Sequence, residues 1–546
     1  MGLSLLLYRH AFYFKSAYPA LCSRLWEVRL YKKTLEHRDP TAVSFKLVAS
    51  ISVTAFDLHL SPSTALTLHP RLNCVFIHRL SFSLHSITPA SMMESDAKPG
   101  SSLNNDQNED PDYDTTDEGL DIDPFAPVLD AINLDALASA ATSVRLKQHC
   151  HNLSILAKRR EELACIIQEP PLIGSFNLAF VILFSDGVKW IARIPGSGVD
   201  SFGHLEARKL LSDIQTSALI RSSTSIPIPE VFAWELSREN AVGVPYHMEG
   251  FIEGIPLSDR WTDLAELERV KLLRDLAGLM SQLHVLHFDK IGSLVFGVSG
   301  KFSNIDEMVQ MKSDIKAMFD GDEVWPTAST CGPFTSTKTY LLAKLNFEYS
   351  EMQEWRKAEL SLLRLAINSI PPAFDTPKNF SLGHPDFNYQ NILVNDDGII
   401  TGLIDWDGIH TLPAALGFAR YPSWITRDWD PAKYGYGESD CRDEDSPEQL
   451  VSYRREYAKA MEALSLAEGE YETNDTRLSQ ILEAVDIAVD NSVSRSWILQ
   501  KLLKFAFEDK VPFTFPEYRQ TWLANQAEEW MDAVRDAFVR MWHEEV

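Results

Sequence analysis

The sequence predicts an α+β protein of two lobes, a small β-rich lobe followed by a larger, mainly helical one. Three observations carry this. The stretch "NLAFVILFSDGVKWIARIP" holds two β-rich runs joined by Ser185-Asp186-Gly187, a hairpin turn signal. From Ser258 onward apolar residues recur at mostly helical spacing, as in "LAELERVKLLRDLAGLMSQLHVLHF". One hairpin, "ILVNDDGIITGLIDW", interrupts that helical part.

The chain has 546 residues, a formal net charge of -26 and a composition that is 45% hydrophobic and 23% charged. That is ordinary globular composition, enough for a sizeable core. The acidic balance argues against nucleic acid as a partner, because a phosphate-binding surface needs clustered Lys and Arg. The six cysteines, Cys22, Cys74, Cys150, Cys165, Cys331 and Cys441, include no Cys-x-x-Cys pair, so they indicate neither a zinc site nor a disulfide framework.

Residues 1–93 differ from the rest. They hold ten Lys or Arg against four Asp or Glu, which leaves the remaining 453 residues at -32. Runs such as "MGLSLLLYRHAFYFKSAYPALCSRLW" are basic, apolar and poor in acids, the pattern of an organellar transit segment. An equal alternative is that translation begins at Met92 or Met93. The longest apolar run, around Leu47 to Phe56, is too short to span a bilayer. A cytoplasmic location is expected, or a mitochondrial one if the leader is a genuine transit peptide. Residues 94–124 are acidic and poor in aromatic and branched side chains, so they read as a disordered linker.

The small lobe is assigned to residues 125–250. After its hairpin a helix is expected over roughly Phe202 to Ile220. "TSIPIPEVFAW" then reads as an extended segment and a strand, and "YHMEGFIEGIPL" as a strand running into a connector near Glu249 to Gly254. The large lobe is assigned to residues 251–546. The C-terminal "YRQTWLANQAEEWMDAVRDAFVRMWHEEV" reads as an amphipathic helix covering it. Nothing in the chain speaks to oligomeric state.

The chemistry concentrates in "SLGHPDFNYQNILVNDDGIITGLIDWDG", which holds His384, Asp386, Asn391, Asp405 and Asp407. With Asp397-Gly398 at the turn, Asn391 begins one arm and Asp405 ends the other, two or three residues beyond Asn391's partner. At about 3.3 Å per residue both reach one divalent ion. Carboxylate and amide oxygens suit Mg²⁺, which binds alongside substrate phosphates. A third carboxylate, Asp386, is placed to accept a proton from an attacking hydroxyl. His-x-Asp-x-x-x-x-Asn followed by Asp at a strand end is the layout that phosphoryl transfer needs.

On these residues, and on "GSFN", "WIARIP", "TSIPIPEVFAW", "HMEGFIEGIPL", "IGSL" and "GPFTS", the chain from about Ile173 to Gly417 resembles the fungal-type branch of the aminoglycoside phosphotransferase family. The resemblance implies a bilobal protein-kinase-like fold, ATP and Mg²⁺, and transfer of phosphate to a hydroxyl of a small molecule. It makes Asp386 the catalytic base, His384 the structural histidine of its loop, and Asn391 and Asp405 the metal ligands.

The nucleotide side is drawn from the small lobe. Gly174, Ser175 and Asn177 form a short turn whose N–H groups face phosphate. Ile191 and Arg193 share one strand face, and Arg193 stands where the family mostly has Lys. A helix carboxylate should hold Arg193. Asp213 and Glu206 are the candidates, with Asp213 favoured by its spacing from "TSIPIP". Met248, Glu249 and Phe251 form the expected hinge. The strongly acidic body of the chain suggests a cationic or amine-bearing acceptor. Two other classes remain open: a nucleotide-binding pseudokinase or scaffold, and, with no Gly-x-Gly-x-x-Gly loop to support it, a protein kinase.

Overall fold

The computed structural model describes residues 26–32, 45–51, 125–149, 163–199, 202–312, 327–347, 354–375, 380–437, 444–468 and 475–542. The expected linker 94–124 lies outside the described residues. So does the leader, apart from strands β1 (Trp26–Lys32) and β2 (Phe45–Ile51), which pair antiparallel in a sheet of their own.

Helices α1 (Ala126–Ala131) and α2 (Leu134–His149) precede the small-lobe sheet. Its strands are β3 (Cys165–Ile167), β4 (Leu172–Ile173), β5 (Asn177–Phe184), β6 (Lys189–Pro195), β7 (Val231–Glu235) and β8 (Tyr246–Gly250). They run in the order β3-β5-β6-β8-β7, with β4 on β5. The β5–β6 turn is the expected one, with Gly187 at φ +85°, where a side chain would be strained. Period-2 alternation divides the sheet's faces. Leu178, Phe180, Ile182, Trp190, Ala192 and Met248 form a core with Val128 and Leu137 from the two helices. Arg145 of α2 pairs with Asp186 at the β5–β6 turn at 2.7 Å. The opposite face, with Ile191, Arg193, His247 and Glu249, is turned toward the large lobe.

Helix α3 (His204–Ser223) lies where the sequence placed it. Its last turn and the following segment, through Ile220, Ile226 and Ile228, join the large-lobe core. The connector Phe251–Gly254 is free of regular structure. Strand β9 (Ile255–Pro256) then pairs with the first arm of the hairpin at Ile392–Val394.

The large lobe is built on helices α4 (Glu266–Met280), α5 (Thr337–Phe347), α6 (Glu354–Ser369), α7 (Pro447–Glu468), α8 (Asp475–Asp490) and α9 (Arg495–Ala506). It holds more strand than the single expected hairpin. β10 (His287–Phe288), β11 (Ser293–Phe296), β12 (Phe302–Asp306), β13 (Met308–Lys312), β14 (Thr327–Cys331) and β15 (Phe380–Ser381) pin loops in short pairs. These runs are too short and polar to show period 2. The expected C-terminal helix is two helices, α10 (Phe515–Leu523) and α11 (Glu528–Met541). Asn525, at φ +57°, breaks them; asparagine tolerates this left-handed conformation better than most residues. Trp522, Trp530 and Trp542 pack on the large-lobe core.

Candidate active site between the lobes

The candidate hairpin consists of β16 (Ile392–Val394) and β17 (Ile400–Leu403). Asn395 closes its turn, accepting the Gly398 amide on its carbonyl and the Ile399 amide on its side chain. The Ile404 N–H donates to the Asn391 carbonyl at 2.9 Å. Asp405 therefore lies one residue beyond Asn391's partner, not two or three, because a bulge at Leu393/Val394 shifts the register.

Asp386 is exposed at the loop that enters the hairpin. Its Oδ2 accepts from Asn391 Nδ2 at 2.9 Å and from Gln390 Nε2 at 3.1 Å. Asn391 Nδ2 also donates to the Asp386 carbonyl at 2.9 Å. These bonds commit the NH₂ end of Asn391 and leave its carbonyl end for a cation. His384 is buried, and its Nε2 donates to the Ile404 carbonyl at 2.9 Å. Burial holds the ring's pKa below the usual histidine value, so it is a neutral donor. It positions the residue before Asp405 and does not itself face the reaction.

Asp405 has φ +65°, a strained conformation for a side-chain-bearing residue and one that clusters at functional sites. One carboxylate and one amide oxygen form the donor set that Mg²⁺ takes when substrate phosphates complete its shell. Among the described residues no cluster of three His, Cys, Asp or Glu forms an all-protein cation cage. Asp405 and Asn391 would offer an ion one carboxylate and one amide oxygen, with phosphates to complete its shell.

Arg193 crosses from the sheet to this turn. Its Nη2 lies 2.7 Å from Asp405 Oδ1 and 2.8 Å from Asp407 Oδ2, and its Nη1 is 3.9 Å from Glu249. Burial opposes its charge, but Asp407, Asp405 and Glu249 together hold it protonated above its ordinary range. The expected helix partner is corrected here. Asp213 Oδ2 is taken by Lys209 Nζ at 2.7 Å and by the Gly408 amide at 2.9 Å. Glu206 accepts the Gly203 amide at the start of its own helix. The i,i+4 spacing of Lys209 and Asp213 was visible in the sequence as a helix pair.

Asn177 lies beside the turn expected to face phosphate, and its Nδ2 donates to Asp407 Oδ2 at 2.8 Å. The Gly174 amide, expected to face phosphate, is instead taken by the Asn177 carbonyl, a close approach that leaves 3.1 Å for any added Cβ, and Ser175 lies exposed at the tip. Asp407, which the sequence reading left without a role, thus gathers Asn177 and Arg193. Burial pushes its carboxyl up, but Arg193 and Lys209 outweigh this and hold it down at about 2.

The hinge is also corrected. Met248 and Glu249 lie inside β8, paired on one side with Ala192 and Ile191 and on the other with Ala233 and Val231. The Met248 side chain is fully buried in the small-lobe core, and Phe251 donates its amide to Lys189 at 3.3 Å. The sheet thus uses the backbone groups expected to be free, and the connector begins at Phe251. The Glu249 carboxylate instead faces Arg193 and lies 3.6 Å from His247 Nε2. Behind these groups is a cavity of about 20 Å³, lined by Arg193, Asp213, His247, Glu249, Asp405 and Asp407 among others.

The model of the phosphotransferase enzyme family matches residues 173–450, just over half of the chain and all of this site. The chain belongs to the phosphotransferase enzyme family. Within it, the chain is 31% identical over 121 residues to a subtelomeric hrmA-associated cluster protein of Aspergillus fumigatus. That stretch covers 22% of this chain and 23% of the relative. It is 26% identical over 186 residues to the altered inheritance of mitochondria protein 9 of Candida tropicalis, covering 31% and 30%. The chain thus spans under a third of the length of either relative. Among solved structures, an aminoglycoside phosphotransferase APH(4)-Ia mutant, in a ternary complex with AMP-PNP and hygromycin B, is 15% identical with a TM-score of 0.35. It covers 71% of this chain and 97% of its own.

Proposed function

We propose that this phosphotransferase moves the γ-phosphate of ATP, with Mg²⁺, to a hydroxyl of a small molecule. The convergence of Asp386, Asn391 and Asp405 on one hairpin, with Arg193 reaching into it, carries the reading. Asp386, oriented by Asn391, accepts the hydroxyl proton as the acceptor oxygen bonds to the γ-phosphorus. The bond from that phosphorus to the β-phosphate oxygen breaks, and ADP leaves. Asp405 and Asn391 would hold Mg²⁺, which would neutralise phosphate charge. Arg193, as a planar fork, binds phosphate oxygens once it leaves the two carboxylates.

An amine-bearing acceptor is the second part of the proposal, supported by the net charge of -26. Among the described residues of 423–449, Asp428 pairs with Arg454, Glu444 with Arg427 and Asp445 with Arg269. These three carboxylates are taken, so the attraction is argued from the long-range field of the whole protein. The basic leader supports mitochondrial delivery if it acts as a transit peptide, and a cytoplasmic site if it does not.

A screen of amino sugars, choline-like amines, amino alcohols and sugars for ATP consumption tests the reading. A turnover that needs Mg²⁺ and Asp386 supports it. ATP binding with no turnover on any class favours the pseudokinase. For an amine acceptor, kcat/KM falls as salt rises from about 0.01 to 0.15 M, where the Debye length shrinks from about 30 to 8 Å. A flat profile removes the charge argument.

A further inference from the structure

Lys209 lies on α3 one turn before Asp213, and its side chain is only 22% exposed. Its Nζ donates to Asp213 Oδ2 at 2.7 Å, the same oxygen that accepts the Gly408 amide at 2.9 Å. Its Cε and Nζ both lie 3.8 Å from where a Cβ on Gly408 would stand. Gly408, at φ +85°, directly follows Asp407. The ammonium therefore packs against the turn that carries Asp405 and Asp407. A solvated helix pair would add about 0.3–0.5 kcal/mol and would need no such burial.

A buried ion pair is costly unless further hydrogen bonds satisfy it. Here the Gly408 amide does so, which ties the pair to the turn. Burial opposes the charge on Lys209, but Asp213 and then Asp407 hold it protonated above its ordinary value. Asp213 is itself pushed up by burial, with Lys209 opposing. Without the lysine this carboxylate would lose the counter-charge that faces it beside the Gly408 amide.

We propose that Lys209 is a positioning residue of the phosphotransfer site. By holding the Asp213 carboxylate against the Gly408 amide, it fixes the Asp405–Asp407 turn in the geometry that receives the metal–nucleotide complex. It acts through Asp213 and the turn, touching neither nucleotide nor acceptor. The inference rests on the functional reading above.

The test is calorimetric titration of the full-length protein with AMP-PNP, in Mg²⁺ and in EDTA. For Lys209→Met the gain in affinity that Mg²⁺ provides falls about tenfold, the lower end of what outer-shell partners of a metal site contribute. Affinity in EDTA stays within about twofold, and Lys209→Arg restores most of the gain. A merely structural pair would lower thermal stability and leave the Mg²⁺ gain intact, and that result overturns the proposal. So does a Lys209→Arg variant as impaired as Lys209→Met. If Lys209→Met does not fold, Asp213→Asn carries the test: loss of the gain supports the role and full gain overturns it. A parent protein that binds no AMP-PNP overturns the functional reading itself. A parent that binds, with Lys209→Met unchanged, overturns only the role of Lys209.

Discussion

Arg193 Nη2 lies 2.7 Å from Asp405 Oδ1, so the cation of the small lobe sits directly on the carboxylate expected to hold the metal. The same nitrogen is 2.8 Å from Asp407. A guanidinium and a divalent cation cannot both occupy that position. Removing Arg193 should therefore strengthen binding of metal alone while weakening binding of nucleotide. In a Mn²⁺ titration followed by electron paramagnetic resonance, Arg193→Met should bind the free ion about tenfold more tightly than the parent, the release of a close charge pair. Equal Mn²⁺ affinity in both proteins would show that Arg193 does not compete for the site.

Asp386→Ala should lower turnover about 10²–10⁴-fold, the usual contribution of a positioned general base. ATP·Mg²⁺ binding should remain within about threefold, because Asp386 faces the acceptor and not the metal. Asp405→Ala should instead abolish the Mg²⁺ dependence of nucleotide binding. Single-turnover rates and equilibrium titrations separate the two. The reverse pattern would exchange the two assignments.

Asp407 gives the site a pH signature. Its carboxyl, held near 2 in the folded protein, has an ordinary value near 4 when unfolded. A folded value below the unfolded one means that the stabilisation is complete above about pH 4 and is lost as pH falls toward 2. After allowance for its partial exposure, Asp407→Asn should cost about 1–2 kcal/mol at pH 7. The gap between parent and variant should close as pH drops through that window. Thermal melts of both proteins between pH 2 and 7 measure it. A gap that widens on acidification would contradict the sign.

Gly383 precedes His384 and packs against backbone. A Cβ there would meet the Gly417 carbonyl carbon at 2.6 Å and its Cα at 2.7 Å. Neither atom can move without shifting the loop. Gly383→Ala should cost about 1–3 kcal/mol of stability, the usual range for overpacking, and reduce turnover by displacing the His384–Asp386 loop. Denaturant unfolding and activity assays on the same sample check both effects.

Strands β1 and β2 pair with each other in a sheet of their own. Residues 94–546 should therefore fold alone and be stabilised by ATP·Mg²⁺ as the full chain is. At ligand a hundredfold above Kd the gain is about 2.7 kcal/mol. An insoluble truncation beside a soluble full chain would show that residues 1–93 belong to the core.

Local pattern was enough to read the two lobes, the β5–β6 turn, α3 and the candidate hairpin. Alternation, turn residues and helical spacing are properties of neighbouring residues, and each element here buries the face its own period marks out. The identities of Asp386, Asn391 and Asp405 were legible for the same reason, since one short hairpin brings all three together. The break at Asn525 and the one-residue position of Asp405 beyond Asn391's partner were not, because single backbone conformations and bulges leave little periodic trace. Which carboxylate holds Arg193 was decided only by the tertiary structure. Asp213 and Glu206 both stood at helical positions that spacing allowed. Asp213 was taken by Lys209 and by Gly408, nearly 200 residues away, while Asp405 and Asp407 came from the other lobe to meet Arg193. A buried charge takes whichever counter-charge the packed lobes bring within hydrogen-bond reach, and sequence spacing cannot rank partners that only folding brings together.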